Sequence, residues 1–316
     1  MNKQIFITEL TAKFWKLARF LIIVGLSFVL IYPILYMVSM SLRTADQVAD
    51  PSVIWIPKYY TLSNFVDAVK FMNYSDSFHT SMTVTLTSSI LSLISCSMAG
   101  YGFARFKFRS KGIWFTFVLL TLIVPAQAVT IPLYLQYQEF SIPIISPILN
   151  IFFNVQMPSW LTVSLIDSWL VFWLPAMFGC GIRAGLYIYI FRQFFRSIPH
   201  ELEEAAQVDG AGYFKTFYRI MIPNAGSAYL TVFIFSLVWY WNDTFYSSVF
   251  ISRKMTMAKA LSSIGQAISA AYGTDSYIKS PITMAGCVLF IAPLMIMYLF
   301  LQNYFVQSVE RTGIVG

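Results

Sequence analysis

Groups able to do chemistry are sparse in this 316-residue chain, and its most polar run is HELEEAAQVDGAGYFKTFYRIMIP, from His200 to Pro223. Pro199 stands where a helix can open. Glu201, Glu203 and Glu204 then fall in its first turn, where the partial positive charge of the N-terminus favours carboxylates. Ala205 and Ala206 keep one face of that helix thin. After Asp209, Gly210 supplies the flexible or left-handed position that ends it. Tyr213 to Met221 resumes a helical pattern, and Pro223 stops it. Two short helices about a glycine joint, with small residues exposed, suit the close approach of another backbone. The same residues would also make an ordinary polar loop capped by acids.

Catalytic constellations are missing. His79 and His200 are far apart, and neither has Cys or carboxylate partners at metal-ligand spacing. No G-x-x-x-x-G-K-[ST] phosphate loop occurs. If ATP drives this protein, the nucleotide site belongs to another chain.

The composition explains the sparseness. Hydrophobic residues make up 58% and charged residues 11%, with a mean hydropathy of +0.66, against about 25% charged residues in soluble domains. An integral membrane protein is expected, all-α, with six spans near Phe20–Met40, Met82–Phe103, Gly112–Leu135, Trp169–Phe191, Ala228–Val249 and Thr283–Tyr304. Each is on the order of 20 residues, enough to cross a hydrocarbon core of about 30 Å. The first exceeds the apolar run of a signal peptide and has no clear small-residue cleavage site, so it reads as a span.

Basic residues orient the spans. Lys3, Lys13, Lys16 and Arg19 precede the first, Arg105, Lys107, Arg109 and Lys111 follow the second, and Arg192, Arg196, Lys215 and Arg219 follow the fourth. Between the third and fourth there is no Lys or Arg. Both termini and the 200–223 loop are therefore expected in the cytoplasm, although the fifth connection, with Arg253, Lys254, Lys259 and Lys279, is also basic. The net charge of +7 reads as positive-inside charge, and no basic patch with interleaved aromatics argues for nucleic acid. Cys96, Cys180 and Cys287 fall in expected spans and read as small hydrophobes.

Polar residues within the spans are candidates for a solute path. Arg183 near mid-membrane costs a few kcal/mol on insertion scales and faces a cavity or a partner, or else snorkels to the cytoplasmic side. Asn242 and Asp243 beside Trp239, Tyr240 and Trp241 combine hydrogen bonds with flat apolar faces, which suits a sugar and equally suits an interfacial aromatic anchor. Gln127, between Pro125 and Pro132, marks a kinked helix that faces the pathway or is bent for packing alone.

Glu204, Ala205, Ala206, Gly210, Ile220, Ile222 and Pro223 together resemble the EAA loop of ABC importer permeases, with Ile222 where Leu is usual. The resemblance narrows to the maltose-type, carbohydrate-importer branch. It is carried by AGYGFARFKFRSKG (Ala99 to Gly112), IVPAQAVTIPLYL (Ile123 to Leu135), WND (Trp241 to Asp243), MAG (Met284 to Gly286) and the tail YFVQSVERTGIVG. Departures are Thr80 before Ser81, Ser308 in the tail, and a longer connection over 136–168. Within that connection, Ile142 to Val163 is apolar enough for a seventh span. An extra crossing would put the basic 192–219 region outside and leave the groups around Pro143, Pro147 and Pro158 unpaired in hydrocarbon. An external interfacial or re-entrant element is expected instead.

The resemblance implies a type I importer permease domain over 20–305, flanked by cytoplasmic segments 1–19 and 306–316. It implies that Glu201, Glu204, Ala205, Ala206, Asp209, Gly210, Ile220 and Pro223 couple to a cytoplasmic ABC ATPase dimer, which binds the ATP and Mg while this chain binds no cofactor. A second permease subunit, an extracytoplasmic solute-binding protein and membrane lipid complete the implied partners. From the tail of relatives, residues from Val306 onward are expected to reach the ATPase interface. The function implied is a permease for a sugar or oligosaccharide. Alternatives are a permease for a polyol, glycerol phosphate or peptide, and a membrane scaffold or sensor subunit.

Overall fold

The structure is a computed structural model that describes residues 3–140 and 163–313, with side-chain surroundings for 13–140 and 163–302. The expected external element at 142–163 therefore lies almost entirely outside the described residues, as do the side chains of the tail. Among the described residues the regular structure is helical, apart from one antiparallel bridge between Phe140 and Val163.

The helices, in chain order, are α1 (Lys3–Ser41), α2 (Ala45–Ala49), α3 (Ser63–Phe71), α4 (Tyr74–Arg105), α5 (Lys111–Ile123), α6 (Ala126–Gln138), α7 (Leu170–Met177) and α8 (Ala184–Ser197). They continue as α9 (Glu201–Val208), α10 (Tyr213–Asn224), α11 (Gly226–Trp241), α12 (Phe245–Phe250), α13 (Met257–Tyr272) and α14 (Ser276–Gly313). Within α10, Phe217–Met221 winds as a π-helical turn.

Three of these are long and apolar enough to cross a membrane: α1, α4 and α14. Two further crossings arise if each bent pair counts as one span, α5 with α6 (bent by 102°) and α10 with α11 (bent by 79°). The expected span Gly112–Leu135 is thus two helices meeting at Val124 and Pro125, because proline removes a backbone donor and clashes with the preceding turn. Trp169–Phe191 is likewise not one helix. It breaks between Met177 and Ala184, where Gly179 (φ +69°) and Arg183 (φ +60°) adopt left-handed conformations. Cys180, expected inside a span, is an exposed residue of that break. The fifth segment ends as a helix at Trp241 and restarts at Phe245.

The chain forms two compact units. One comprises Met1–Met72 with Ser263–Ala292, the other Asn73–Ser262 with Pro293–Gly316. In the larger unit α4 packs against α7, α8 and α11. Its core joins Cys96 and Tyr101 of α4 to Tyr187, Ile188, Phe191 and Phe195 of α8, and to Phe217, Met221 and Val232 beyond. Gly100 permits the approach: a Cβ there would stand 2.5 Å from Phe191 Cβ and 3.1 Å from the Arg192 nitrogen. Small residues at such crossings let membrane helices meet backbone to backbone.

Candidate functional site

The run from His200 to Pro223 folds as two short helices about Gly210. Glu201, Glu203 and Glu204 occupy the first turn of α9, and the amides of Glu203 and Glu204 donate to the His200 carbonyl at 2.9 and 3.1 Å. The helix ends in a Schellman motif: Ala211 N–H donates to Ala206 O at 2.8 Å and Gly210 N–H to Gln207 O at 3.0 Å. Gly210 has φ +77°, a value that disfavours side chains carrying a Cβ.

One face of α9 is turned into the protein. Ala206 and Glu203 are buried, and Glu203 meets the end of α4. Arg105, the last residue of α4, places Nε 2.8 Å from Glu203 Oε1, with side chains 2% and 9% exposed. The two atoms lack hydrogen-bond alignment, so the contact is an ion pair. The same guanidinium donates from Nη2 to Ile198 O at 2.6 Å, and Nη1 lies 2.8 Å from His200 Nε2. Aromatic rings extend the anchor: Tyr101 packs on Phe106, Phe195 and Phe217, and Phe106 on Tyr213.

The opposite face is bare. Glu201, Glu204, Ala205, Asp209 and Pro223 are exposed, and Ile220 is half-buried. Large apolar side chains stand among them: Val208 is 87% exposed and Phe214 73%, with Leu202, Tyr213 and Tyr218 also open. The short helix α9 thus displays apolar side chains beside carboxylates on one face and is held from behind by a buried ion pair. Arg105, Glu203 and the exposed Val208 and Phe214 were not among the residues singled out by motif, because the motif marks small and turn-forming positions.

The residues expected along a solute path separate into groups. Arg183, at the break before α8, is exposed and its guanidinium lies 4.3 Å from the ring centroid of Trp239, a cation–π stack. Nearby, Tyr240 accepts the Ile182 N–H at 3.2 Å and lies 3.4 Å from the Ser92 hydroxyl. Trp241 is buried and packs edge-on against Phe78. Asn242 donates to its own helix at Val238 O. The Asp243 carboxylate receives the Tyr246 and Ser247 amides at 3.1 and 2.8 Å, which caps α12. Gln127 is exposed in the first turn of α6, just past the bend. Among the described residues no group of His, Cys, Asp and Glu is placed to hold a metal.

Comparison with known proteins decides the family. The model of the binding-protein-dependent transport system inner membrane component family matches residues 91–311. The chain belongs to that family. Among relatives of this permease component is the arabinooligosaccharides transport system permease protein AraQ of Bacillus subtilis, 26% identical over 314 residues that cover 96% of each chain. Another is the osmoprotective compounds uptake permease protein GgtD of Synechocystis, 26% identical over 309 residues, covering 96% of this chain and 93% of that one. The fold is similar to that of a chain in the crystal structure of a bacterial ABC transporter involved in import of the acidic polysaccharide alginate. The TM-score is 0.70 at 21% identity, covering 93% of this chain and 98% of the other. The permease is thus an inner-membrane component of an ABC importer and not an enzyme; ATP hydrolysis belongs to a separate subunit.

Proposed function

We propose that this permease carries a sugar or oligosaccharide across the membrane, and that α9 and α10 are the part a cytoplasmic ATPase dimer grips to drive it. The observation that carries the coupling reading is the bare face of Glu204, Ala205 and Val208 on α9, whose other face Arg105 fixes to α4, with Phe214 of α10 exposed after it. Closing of the ATPase subunits would move α9 as a rigid body, and α4 with it, rocking this chain against a second permease subunit. Such coupling needs contacts that differ between the two states, and a short helix held in a cleft supplies them. Both termini and the 200–223 loop lie in the cytoplasm in this reading, and a binding protein delivers solute from the other side.

The sugar assignment is supported by relatives such as the arabinooligosaccharide permease. The stack of Arg183 on Trp239 offers donors and a flat ring at the helix break, where solute hydroxyls or a carboxylate would be met. A second reading, uptake of a small osmoprotective solute, is favoured by the Synechocystis relative. The test is to purify the assembled transporter through this chain, reconstitute it, and screen solute-loaded binding protein for stimulation of ATP hydrolysis. Stimulation by an oligosaccharide-loaded binding protein supports the sugar reading. Stimulation only by a non-carbohydrate solute contradicts it, and absence of any co-purifying ATPase contradicts the coupling reading.

A further inference from the structure

The connection after α1 carries an apolar display of its own. In the segment VIWIPKYYTL, from Val53 to Leu62, the side chains of Ile54, Ile56, Tyr59, Tyr60 and Leu62 are exposed, yet the backbone beneath them is firmly held. Arg43, itself 4% exposed, donates from Nη1 to Val53 O at 2.9 Å and from Nη2 to Ile54 O at 2.8 Å. The Ser39 hydroxyl donates to Trp55 O. Gln47 accepts the amides of Lys58 and Tyr59 and donates to Tyr59 O at 2.8 Å. Lys58 in turn pairs with Asp50 at 2.7 Å.

The direction of the segment is the informative part. Trp55 does not point away from α1 but packs back along it, 4.8 Å from the ring of Tyr32 and 6.3 Å from Phe28. Tyr32 and Phe28 precede Ser39 by about 10 and 16 Å of helix, well inside the apolar length of the span. That flank of α1 is exposed, as expected for a helix facing lipid. The backbone of Val53 to Trp55 itself stands level with Ser39 and Arg43, at the end of α1, and it is the Trp55 ring that reaches down the span. Side-chain donors there take three successive carbonyls, Val53 to Trp55, and so fix the direction in which the side chains of the segment turn.

We propose that residues 53–62 form a wedge seated in the lipid leaflet at the Ser41 end of α1. The side chains of Ile54, Trp55 and Ile56 dip into hydrocarbon from a backbone at the boundary, with Tyr59 and Tyr60 at the headgroup level and Lys58 and Asp50 at the water boundary. Arg43 is the residue that makes the wedge possible. Its guanidinium neutralises carbonyl dipoles and stays sealed from lipid by the segment it holds. The occupant of the apolar face is lipid and not a protein partner, because the face is continuous with the lipid-facing flank of α1 through the Trp55–Tyr32–Phe28 stack. Indole and phenol side chains at this level are the usual membrane-interface anchors.

Spin labels at single cysteines test this in the assembled transporter reconstituted in liposomes, with Cys96, Cys180 and Cys287 replaced. Labels at Ile56, at Leu30 on α1 and at Asp46 on α2 report lipid, lipid and water respectively in this account. The ratio of oxygen to nickel-chelate collisions at Ile56 should match that at Leu30 and exceed that at Asp46 several-fold. A ratio at Ile56 like that at Asp46 would place the segment in water and overturn the proposal. Shielding of Ile56 from both reagents would assign the face to a protein partner and equally overturn it. A water-like ratio at Leu30 would show that the flank the wedge continues is not in lipid, and would overturn the proposal as well. In Arg43→Gln the oxygen preference at Ile56 should be lost; if it persists, the guanidinium does not seat the wedge.

Discussion

Arg105 Nε and Glu203 Oε1 lie 2.8 Å apart, an ion pair that ties the end of α4 to the first turn of α9 with both side chains nearly sealed from water. Because α4 packs on α7, α8 and α11, a push on α9 reaches the helical core directly and not only through the chain that joins α9 to its neighbours. Removing one member of a buried pair leaves the other uncompensated, at a cost of about 3–5 kcal/mol.

Neighbouring glutamates should therefore fail in different ways. Glu203→Ala is expected to lower the thermal unfolding temperature of the purified complex and reduce uptake with it. Glu204→Ala, at an exposed position, should leave the unfolding temperature unchanged and reduce uptake per ATP hydrolysed. Paired thermal-shift and transport assays check both, and equal loss of stability in the two variants would contradict the division of the helix into an anchored and a gripping face.

Gly210 offers a cleaner separation of strain from crowding. No atom lies within 4 Å of where its Cβ would stand, so a substitution there is penalised by the left-handed backbone, roughly 1–2 kcal/mol for a residue with a Cβ. Gly210→Val should uncouple ATP hydrolysis from uptake while the protein still inserts and assembles. Gly210→Asn, which tolerates the same φ better, should retain most transport. Normal coupling in the valine variant would remove the turn from the account.

Arg183 sits at a helix break in contact with Trp239, in a left-handed conformation that glycine adopts more readily. Arg183→Gly is thus expected to relax the backbone while deleting the guanidinium, so uptake should fall several-fold with complex yield unchanged. Loss of assembly with unaltered solute preference in the residual transport would assign Arg183 a structural role instead.

Asp167 lies outside the spans, and its carboxylate accepts the Arg253 amide at 2.9 Å and the Ser252 amide and hydroxyl. The Arg253 amide, with help from Ser252, holds its pKa below the ordinary carboxylate value against the opposing effect of burial. A depressed folded pKa contributes stability that is present above the unfolded value of about 3.9 and is lost as pH falls through the folded one. A probe at Lys254 should accordingly keep constant mobility from neutral pH down to about 4 and loosen below it. In Asp167→Asn the mobility should be high and independent of pH; a pH response surviving in that variant would point to a different group.

How much of this was legible in the sequence depended on the range of the interaction. The Gly210 joint and the first-turn glutamates were readable because capping and left-handed turns are local physics, and the bend at Pro125 was announced by the proline. The break before Ala184 was hidden inside a largely apolar run, with Pro175, Gly179, Gly181 and Arg183 as its signals. Hydropathy averages over such residues, so one straight span was expected where two short helices stand. The partnership of Arg105 with the 200–223 loop was not readable at all, since Arg105 lies 95 positions from His200 and only folding of α4 against α8 brings them together. Trp241 and Asp243 looked alike as polar-aromatic candidates, yet packing buries one and helix capping occupies the other.

A photo-crosslinking amino acid at Val208 reports directly whether the bare face of α9 meets an ATPase. In membranes from cells that also make the native partners, irradiation should join this chain to the ATPase subunit, with a yield that changes when ATP is trapped. The same probe at Ala206, on the buried face, should give no such adduct. Adducts at Val208 with lipid alone, or with no ATPase under any nucleotide condition, would contradict the account.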